Sequence, residues 1–284
     1  MLWRTWQSLQ AKRRLLAPLW TFEPGQFFAD ALQYPELECA LREGPELRPY
    51  EGLAELWDTH CAPRLPDYPS FLASLAERRG IGLRSVLDLA CGAGTLSARL
   101  SRVIPGVVGL DASEAMLEQA RRRPDLHRSV EFVRGDFRDF ELGRQFDAMT
   151  CASNSLNYVA DLRELAGVFS AVAKHLKPGG LFVFDTITEL GMRQLSGLFF
   201  HAEVNGKRFA LRFAYDVAGR KETSIAILAS GIETHRRIPL NAADVELAAR
   251  LSGLRVEDSF CSALIPGRWQ AGNMSFFVLT KQLG

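Results

Sequence analysis

Residues 86–97 read Val-Leu-Asp-Leu-Ala-Cys-Gly-Ala-Gly-Thr-Leu-Ser, an apolar run that holds Asp88 and empties onto Gly92 and Gly94. Glycine permits left-handed backbone angles and puts no side chain between a ligand and the main-chain amides, so this turn can seat a bulky polar ligand, as in nucleotide-cradling loops, or can simply turn tightly. A second apolar run, Gly106-Val-Val-Gly-Leu-Asp111, closes on a carboxylate just before a helical pattern capped by Ser113. A carboxylate in that place can accept both hydroxyls of a ribose. A third run, Val130-Glu-Phe-Val-Arg-Gly-Asp136-Phe137, closes on Asp136, where an adenine amino group would lie. Carboxylates set against apolar strands cost free energy unless donors meet them, so Asp88 and Asp111 demand either a ligand or a capped loop.

The elements that must position these groups follow from the pattern. Continuous apolar runs such as Val86–Leu89 are those of parallel strands covered on both faces, and each is followed by a helical period. A fourth strand ends near Cys151, a fifth covers 180–186, a helix covers 242–251, a sixth strand 254–260 and a seventh 274–281. Between them residues 201–240 alternate in polarity, with hairpin turns expected at Asn205-Gly206 and near Ala218-Gly219. With 284 residues, 47% apolar and a net charge of +1, the chain can hold one large α/β core plus a cap. No stretch approaches the roughly 20 apolar residues that cross a bilayer, and there is no secretory leader pattern at the start. Near neutrality without a basic stripe speaks against a nucleic-acid partner. Five scattered cysteines, without a Cys-x-x-Cys pair, give no disulfide framework and no zinc site, which points to the cytoplasm.

The blocks Asp88-Leu-Ala-Cys-Gly-Ala-Gly94, Gly109-Leu-Asp111, Gly135-Asp136, Phe146-Asp-Ala-Met-Thr150 and Leu176-Lys-Pro-Gly-Gly180, in this order and spacing, resemble the class I S-adenosylmethionine-dependent methyltransferases. The resemblance implies a Rossmann-like, seven-stranded, mostly parallel sheet with an antiparallel last strand, an N-terminal helical cover and a β-rich insertion. It divides the chain into a helical cover or lid (1–80), a cofactor-binding core (81–190), a β-rich substrate cap (191–241) and the end of the core sheet (242–284). It implies S-adenosylmethionine as cofactor and S-adenosylhomocysteine as product. The implied cofactor residues are Asp88, Ala90, Gly92 and Gly94 in the cradle, Asp111 with Ala112 at the ribose, and Met116, Asp136 and Phe137 at the adenine. Cys151 and Ala152 would lend a carbonyl to the methionine ammonium, with Ser153 and Asn154 facing the methyl group.

In the small-molecule branch of this family an aromatic segment ahead of the first strand folds over the cofactor, and Tyr50 to Asp58 is similar, with Trp57 where a tyrosine is usual. Tyr50, Trp57, Asn154 and Tyr158 are the candidate acceptor contacts. A hydroxyl acceptor would need a base and an amine only the loss of a proton. Among the histidines, His60, His201 and His235 fall in the cover and cap segments, and His127 and His175 at the periphery of the core. His201 and His235 are the candidate bases. The segment after the fourth strand lacks the Pro-Pro-aromatic signature of enzymes that methylate nucleic-acid bases, and no paired-acid metal site is evident. A small-molecule acceptor is therefore expected, with nitrogen or oxygen left open, and neither a membrane nor a metal. The first twenty residues carry Arg4, Lys12, Arg13 and Arg14 beside Leu2, Trp3, Trp6, Leu9 and Leu16, an amphipathic helix suited to a lid or a homodimer contact. Two rival classes stay open. A nicotinamide-dependent dehydrogenase would use the same turn, with Ser97 as its third small residue but no use for Gly135-Asp136. A non-catalytic scaffold would keep the cofactor fold alone.

Overall fold

The structure is a computed structural model and describes residues 35–60, 66–123, 130–261 and 273–282. The expected basic helix over 1–20 and His127 lie outside these residues, as does the His60 side chain. In chain order the elements begin with α1 (Pro35–Glu43), β1 (Glu46–Leu47), α2 (Ala54–His60) and α3 (Tyr68–Arg79). The alternating core follows: β2 (Ser85–Leu89), α4 (Thr95–Ser101), β3 (Gly106–Asp111), α5 (Glu114–Arg122), β4 (Val130–Arg134), β5 (Phe146–Cys151), a 3-10 turn (Ser155–Tyr158), α6 (Leu162–His175) and β6 (Leu176–Ile187). Then come α7 (Glu189–Leu195), β7 (Phe199–Val204), β8 (Lys207–Asp216), β9 (Lys221–Leu228), β10 (Gly231–Arg237), α8 (Ala242–Leu251), β11 (Leu254–Cys261) and β12 (Met274–Lys281).

The main sheet has the order β11-β12-β6-β5-β2-β3-β4. Its strands run parallel except β12, which enters antiparallel between β6 and β11. This is the seven-stranded, mostly parallel arrangement expected. Both faces are covered, which explains the unbroken apolar runs. On one face Phe169 of α6 meets Phe182 and Phe184, and Phe184 stacks on Phe277, with neighbouring ring centroids 4.8–5.9 Å apart. On the other, Tyr68, Leu72 and Leu75 of α3 pack with Leu96 and Leu100 of α4 over Val86, Val183 and Val278. At the amino ends of the strands the Asp147 carboxylate accepts the Arg84 and Ser85 amides at 2.9 and 2.8 Å and pairs with Lys177 Nζ at 2.6 Å. The Phe146-Asp147 and Lys177-Pro-Gly-Gly blocks thus meet in a structural latch, at the opposite ends of the strands from the glycine turn.

The insertion is a second sheet, β1-β10-β9-β8-β7, antiparallel except for the β1–β10 pair. Asn205 (φ +51°) and Gly206 (φ +74°) form the β7–β8 turn with both angles positive, which is why this dipeptide marks it. A β-ribbon with one apolar face is not stable alone. The chain ahead of β2 supplies the cover: Leu37 and Ala40 of α1 pack on Ala210 and Ile227, and Leu53 and Leu56 on Phe209, Ala226 and Leu228. The N-terminal stretch is therefore shared between the layers, α1 and β1 with the cap sheet and α3 with the main sheet. His175, expected at the periphery, is buried at the end of α6. Its Nε2 accepts the Leu142 amide at 3.0 Å and its Nδ1 faces the Ala171 carbonyl at 2.8 Å, a core histidine held by the turn of helix above it.

Asn157 joins core to cap. Fully buried, it donates from Nδ2 to the carbonyls of Ile187 (3.0 Å) and Ile238 (2.7 Å), and its Oδ1 accepts the Ile187 amide at 2.9 Å. Replacing it with alanine leaves three buried main-chain groups unpaired. Asn157→Ala should lower unfolding free energy by on the order of 3 kcal/mol, read as a shift of the denaturant midpoint at constant slope.

Candidate active site

The glycine turn is clamped by carboxylates. After Leu89 the backbone enters the left-handed region at Ala90 (φ +52°), Gly92 (+55°) and Gly94 (+80°), and the Cys91 amide donates to the Leu110 carbonyl at 3.0 Å. Cys91 can lie against β3 because residue 109 is glycine: a methyl there would stand 2.9 Å from the Cys91 thiol and the Phe132 ring. Asp111 accepts the Gly92 amide on Oδ2 and the Ser113 amide on Oδ1, each at 2.8 Å. Burial pushes its carboxyl above the usual range against the pull of these amides. Asp88 is met by protein donors as well, the Ser97 hydroxyl at 2.6 Å and the Thr150 hydroxyl at 2.8 Å, and burial pushes its carboxyl up to about 6. Asp136 is partly exposed and forms a two-armed ion pair with Arg138 at 2.7–2.8 Å, which outweighs desolvation and holds it below the ordinary carboxylate range.

Above the turn lies a cavity of about 540 Å³. Its walls include Asp88, Ala90, Gly92, Asp111, Ala112, Met116, Asp136, Phe137, Ala152 and Ser153 of the expected cofactor residues, and Tyr50, Trp57 and Tyr158 of the expected acceptor contacts. Gly94 starts α4 behind the wall, Cys151 is buried beneath it, and Asn154 stands beside Ser153 without lining it. His201 lies opposite Ala210 on β7, the edge strand of the cap, three strands from β10 and away from the cavity. His235 is one side chain behind the wall.

Sequence reasoning missed Asp185, Tyr68 and Glu233. Asp185 is buried and accepts the Ser153 amide at 3.0 Å, the Asn154 amide at 2.6 Å and the Tyr68 hydroxyl. It thereby holds two residues with positive φ, Ser153 (+61°) and Asn154 (+60°), at the carboxyl end of β5. Burial again dominates, pushing its carboxyl up to about 6. The available signal was the apolar run Leu181-Phe-Val-Phe-Asp185, which meets an acid as the runs around Asp88 and Asp111 do. Glu233, without exposed surface, accepts the amides of Tyr50 (2.8 Å), Gly52 (2.5 Å) and Leu53 (2.8 Å) and faces His235 Nε2 at 3.2 Å. Both Glu233 and His235 occupy inward positions of an alternating strand, where a polar residue needs a reason. The Tyr158 hydroxyl lies 3.0 Å from His235 Nδ1 and 2.7 Å from the Tyr50 hydroxyl.

The crevice suits an adenosyl sulfonium ligand in its donor set. Asp111 can accept from hydroxyls, and Met116 and Phe137 offer apolar surface. A Cβ at Gly92 would meet only Met116 Sδ, at 3.9 Å, and so would project into the ligand's space. The Asn154 amide oxygen is buried and takes no hydrogen bond within the described residues. Among those residues no group of three or more His, Cys, Asp or Glu side chains is gathered to hold a metal.

A family model described as "Methyltransferase domain" matches residues 86–180. The chain is 37% identical over 136 residues to dTDP-3-amino-3,4,6-trideoxy-alpha-D-glucopyranose N,N-dimethyltransferase of Streptomyces venezuelae, covering 46% of this chain and 56% of that protein. It is 30% identical over 193 residues to cypemycin N-terminal methyltransferase of a Streptomyces species, covering 65% of this chain and 78% of that protein. In fold it matches an S-adenosylmethionine-dependent methyltransferase from Clostridium acetobutylicum with a TM-score of 0.71 at 20% identity, over 82% of this chain and 99% of the other. The chain belongs to the class I S-adenosylmethionine-dependent methyltransferases. It spans 56% of the length of each of two sugar N,N-dimethyltransferases that it matches.

Asp88 and Asp185, both pushed up to about 6, bind protons in the folded state where the unfolded chain has released them. Their contribution to stability is present at acid pH and lost as pH rises through about 6. Relative to Asp185→Asn, the wild-type protein should therefore lose on the order of 2 kcal/mol between about pH 4.5 and about pH 7, measured by parallel unfolding curves.

Proposed function

We propose that this protein transfers the methyl group of S-adenosylmethionine to an amino nitrogen of a small molecule, with nucleotide-linked amino sugars as the first class of acceptor. One observation carries the reading: Tyr50 and Tyr158, joined hydroxyl to hydroxyl at 2.7 Å, line the same cavity as the Gly92–Asp111 clamp, so an acceptor can lie beside the cofactor crevice under the cap. The amino-sugar class is supported by the Streptomyces venezuelae relative, named for a dTDP-linked amino sugar. Free thiols at Cys39, Cys91 and Cys151 support action in the cytoplasm.

When bound, the cofactor supplies a methyl group already activated on a sulfonium, so the protein's share is position and exclusion of water. Asp111 would hold the ribose while its oxygens keep the Gly92 and Ser113 amides in place. Met116 and Phe137 would flank the adenine, and opening of the Arg138 pair would release Asp136 to its amino group. The turn at Ala152-Ser153, fixed by Asp185, would present main-chain groups to the amino-acid end. Tyr50 and Trp57, in edge contact at a centroid distance of 5.3 Å, would close the crevice from the N-terminal side.

Calorimetric titration with S-adenosylhomocysteine should show saturable binding, weaker by about 1–3 kcal/mol in Asp111→Ala through lost hydrogen bonds. Gly92→Val should abolish it. Unchanged affinity in both variants, or preference for NAD, would remove this cavity as the cofactor site. Incubation with S-adenosylmethionine and a panel of dTDP-linked amino-deoxyglucoses should yield singly or doubly methylated sugars by mass spectrometry. A protein that binds the cofactor and methylates none of them would overturn the acceptor class.

A further inference from the structure

The geometry gives the hydrogen-bonded chain behind the cavity a single direction, and we propose that it takes a proton from the acceptor ammonium and delivers it to His235. This rests on the reading of the protein as a nitrogen methyltransferase. Glu233 already receives three main-chain N–H groups, and a carboxylate only accepts, so its contact with His235 Nε2 at 3.2 Å is an N–H donated by the imidazole. The neutral ring then carries its proton on Nε2 and a lone pair on Nδ1. Tyr158 lies 3.0 Å from that lone pair and must donate its hydroxyl hydrogen to it. With that hydrogen committed, the Tyr50 hydroxyl at 2.7 Å must donate to Tyr158. Any further group that meets the Tyr50 oxygen meets it as an acceptor, which fits an N–H from the cavity that Tyr50 and Tyr158 line.

His235 is held by Glu233 on its own strand, by the Tyr50 ring edge-on at 4.9 Å, and by Tyr158 of the 3-10 turn. On β9 it faces Ser224 in register, and Glu222 there is held by both contacts from Arg237 at 2.8 and 2.9 Å. That ion pair neutralises itself, so the net charge facing the imidazole is the Glu233 carboxylate. The step balances as follows. One N–H bond of the acceptor ammonium breaks with its electron pair left on nitrogen, and the proton passes to the Tyr50 oxygen. The Tyr50 proton passes to Tyr158, and the Tyr158 proton to His235 Nδ1, giving an imidazolium against Glu233. The nitrogen lone pair would then be free for the new N–C bond, the methyl group and the sulfur that takes back the broken bond's electron pair being what the bound sulfonium would supply. Once product leaves, the same chain run backward returns the proton to solvent. His235 and Glu233 thus act through the tyrosines and are positioning residues.

Two measurements test this. Nitrogen-15 NMR of imidazole-labelled protein bound to S-adenosylhomocysteine, with the His235 signals assigned by their absence in His235→Gln, should show Nε2 protonated and Nδ1 unprotonated at about pH 8. A proton on Nδ1 in that state reverses the chain and overturns the proposal whether or not an acceptor is known. With any amine that the wild-type protein methylates, Tyr158→Phe and His235→Gln should each lower kcat by about 100-fold and flatten the acid limb of its pH profile, with S-adenosylhomocysteine affinity and melting temperature held. Wild-type kcat and pH profile in Tyr158→Phe, which keeps the ring and the fold, would discard the relay while leaving methyl transfer standing. If no amine is methylated, the acceptor reading is what fails, and the NMR experiment still decides the direction of the chain.

Discussion

A carboxylate without access to water must be given donors, and this protein buries Asp88, Asp111, Asp147, Asp185, Glu222 and Glu233 almost completely. Most of them tie together separate segments of the chain. Asp88 takes hydroxyls from α4 and β5, and Asp111 takes amides from the glycine turn and the start of α5. Asp185 takes a hydroxyl from α3 and amides from the turn after β5, while Glu233 takes three amides from the segment before α2. The need to satisfy these groups fixes the relative positions of the elements that surround the cavity.

The same requirement couples cap to core. The cap sheet could slide over the main sheet if only apolar side chains joined them, because hydrophobic contact is not directional. Asn157 removes that freedom by binding the ends of β6 and β10 to the turn after β5. Glu233 removes it on the other side, since Tyr50 is tied to the cap through its amide and to the core turn through its hydroxyl. The walls between cap and core are thereby set by hydrogen bonds at two points.

What the sequence disclosed and what it hid divide along the range of the interactions. Apolar runs carrying an acid located β2 and β3 with Asp88 and Asp111, Asn205-Gly206 located a hairpin, and the helix over 242–251 and the strand over 274–281 stand at the expected residues. These depend on neighbours a few positions away. The donors to Asp88 come from Ser97 and from Thr150, sixty-two positions on, and Glu233 accepts amides from residues 180 and 181 positions away. No local pattern announces such pairs. The sequence singled out His235, Tyr50 and Tyr158 one by one, but their linkage and Glu233 emerge only from the fold, where Glu233 and His235 share the inward face of β10.

Tyr50, Ala90, Ser153 and Asn154 all carry positive φ, which costs a residue other than glycine on the order of 1–3 kcal/mol where the surroundings do not enforce it. Three of the four line the cavity and the fourth adjoins it. In each case a buried carboxylate holds the strained backbone or its neighbour: Glu233 the Tyr50 amide, Asp111 the Gly92 amide two residues past Ala90, and Asp185 the amides of Ser153 and Asn154. Neither half of this arrangement is stable without the other. A relaxed backbone would turn its amides away from the carboxylates and leave buried charge unpaired, while a missing carboxylate would let the backbone fall back to ordinary angles. The strain is thus locked into the walls by the protein's own carboxylates.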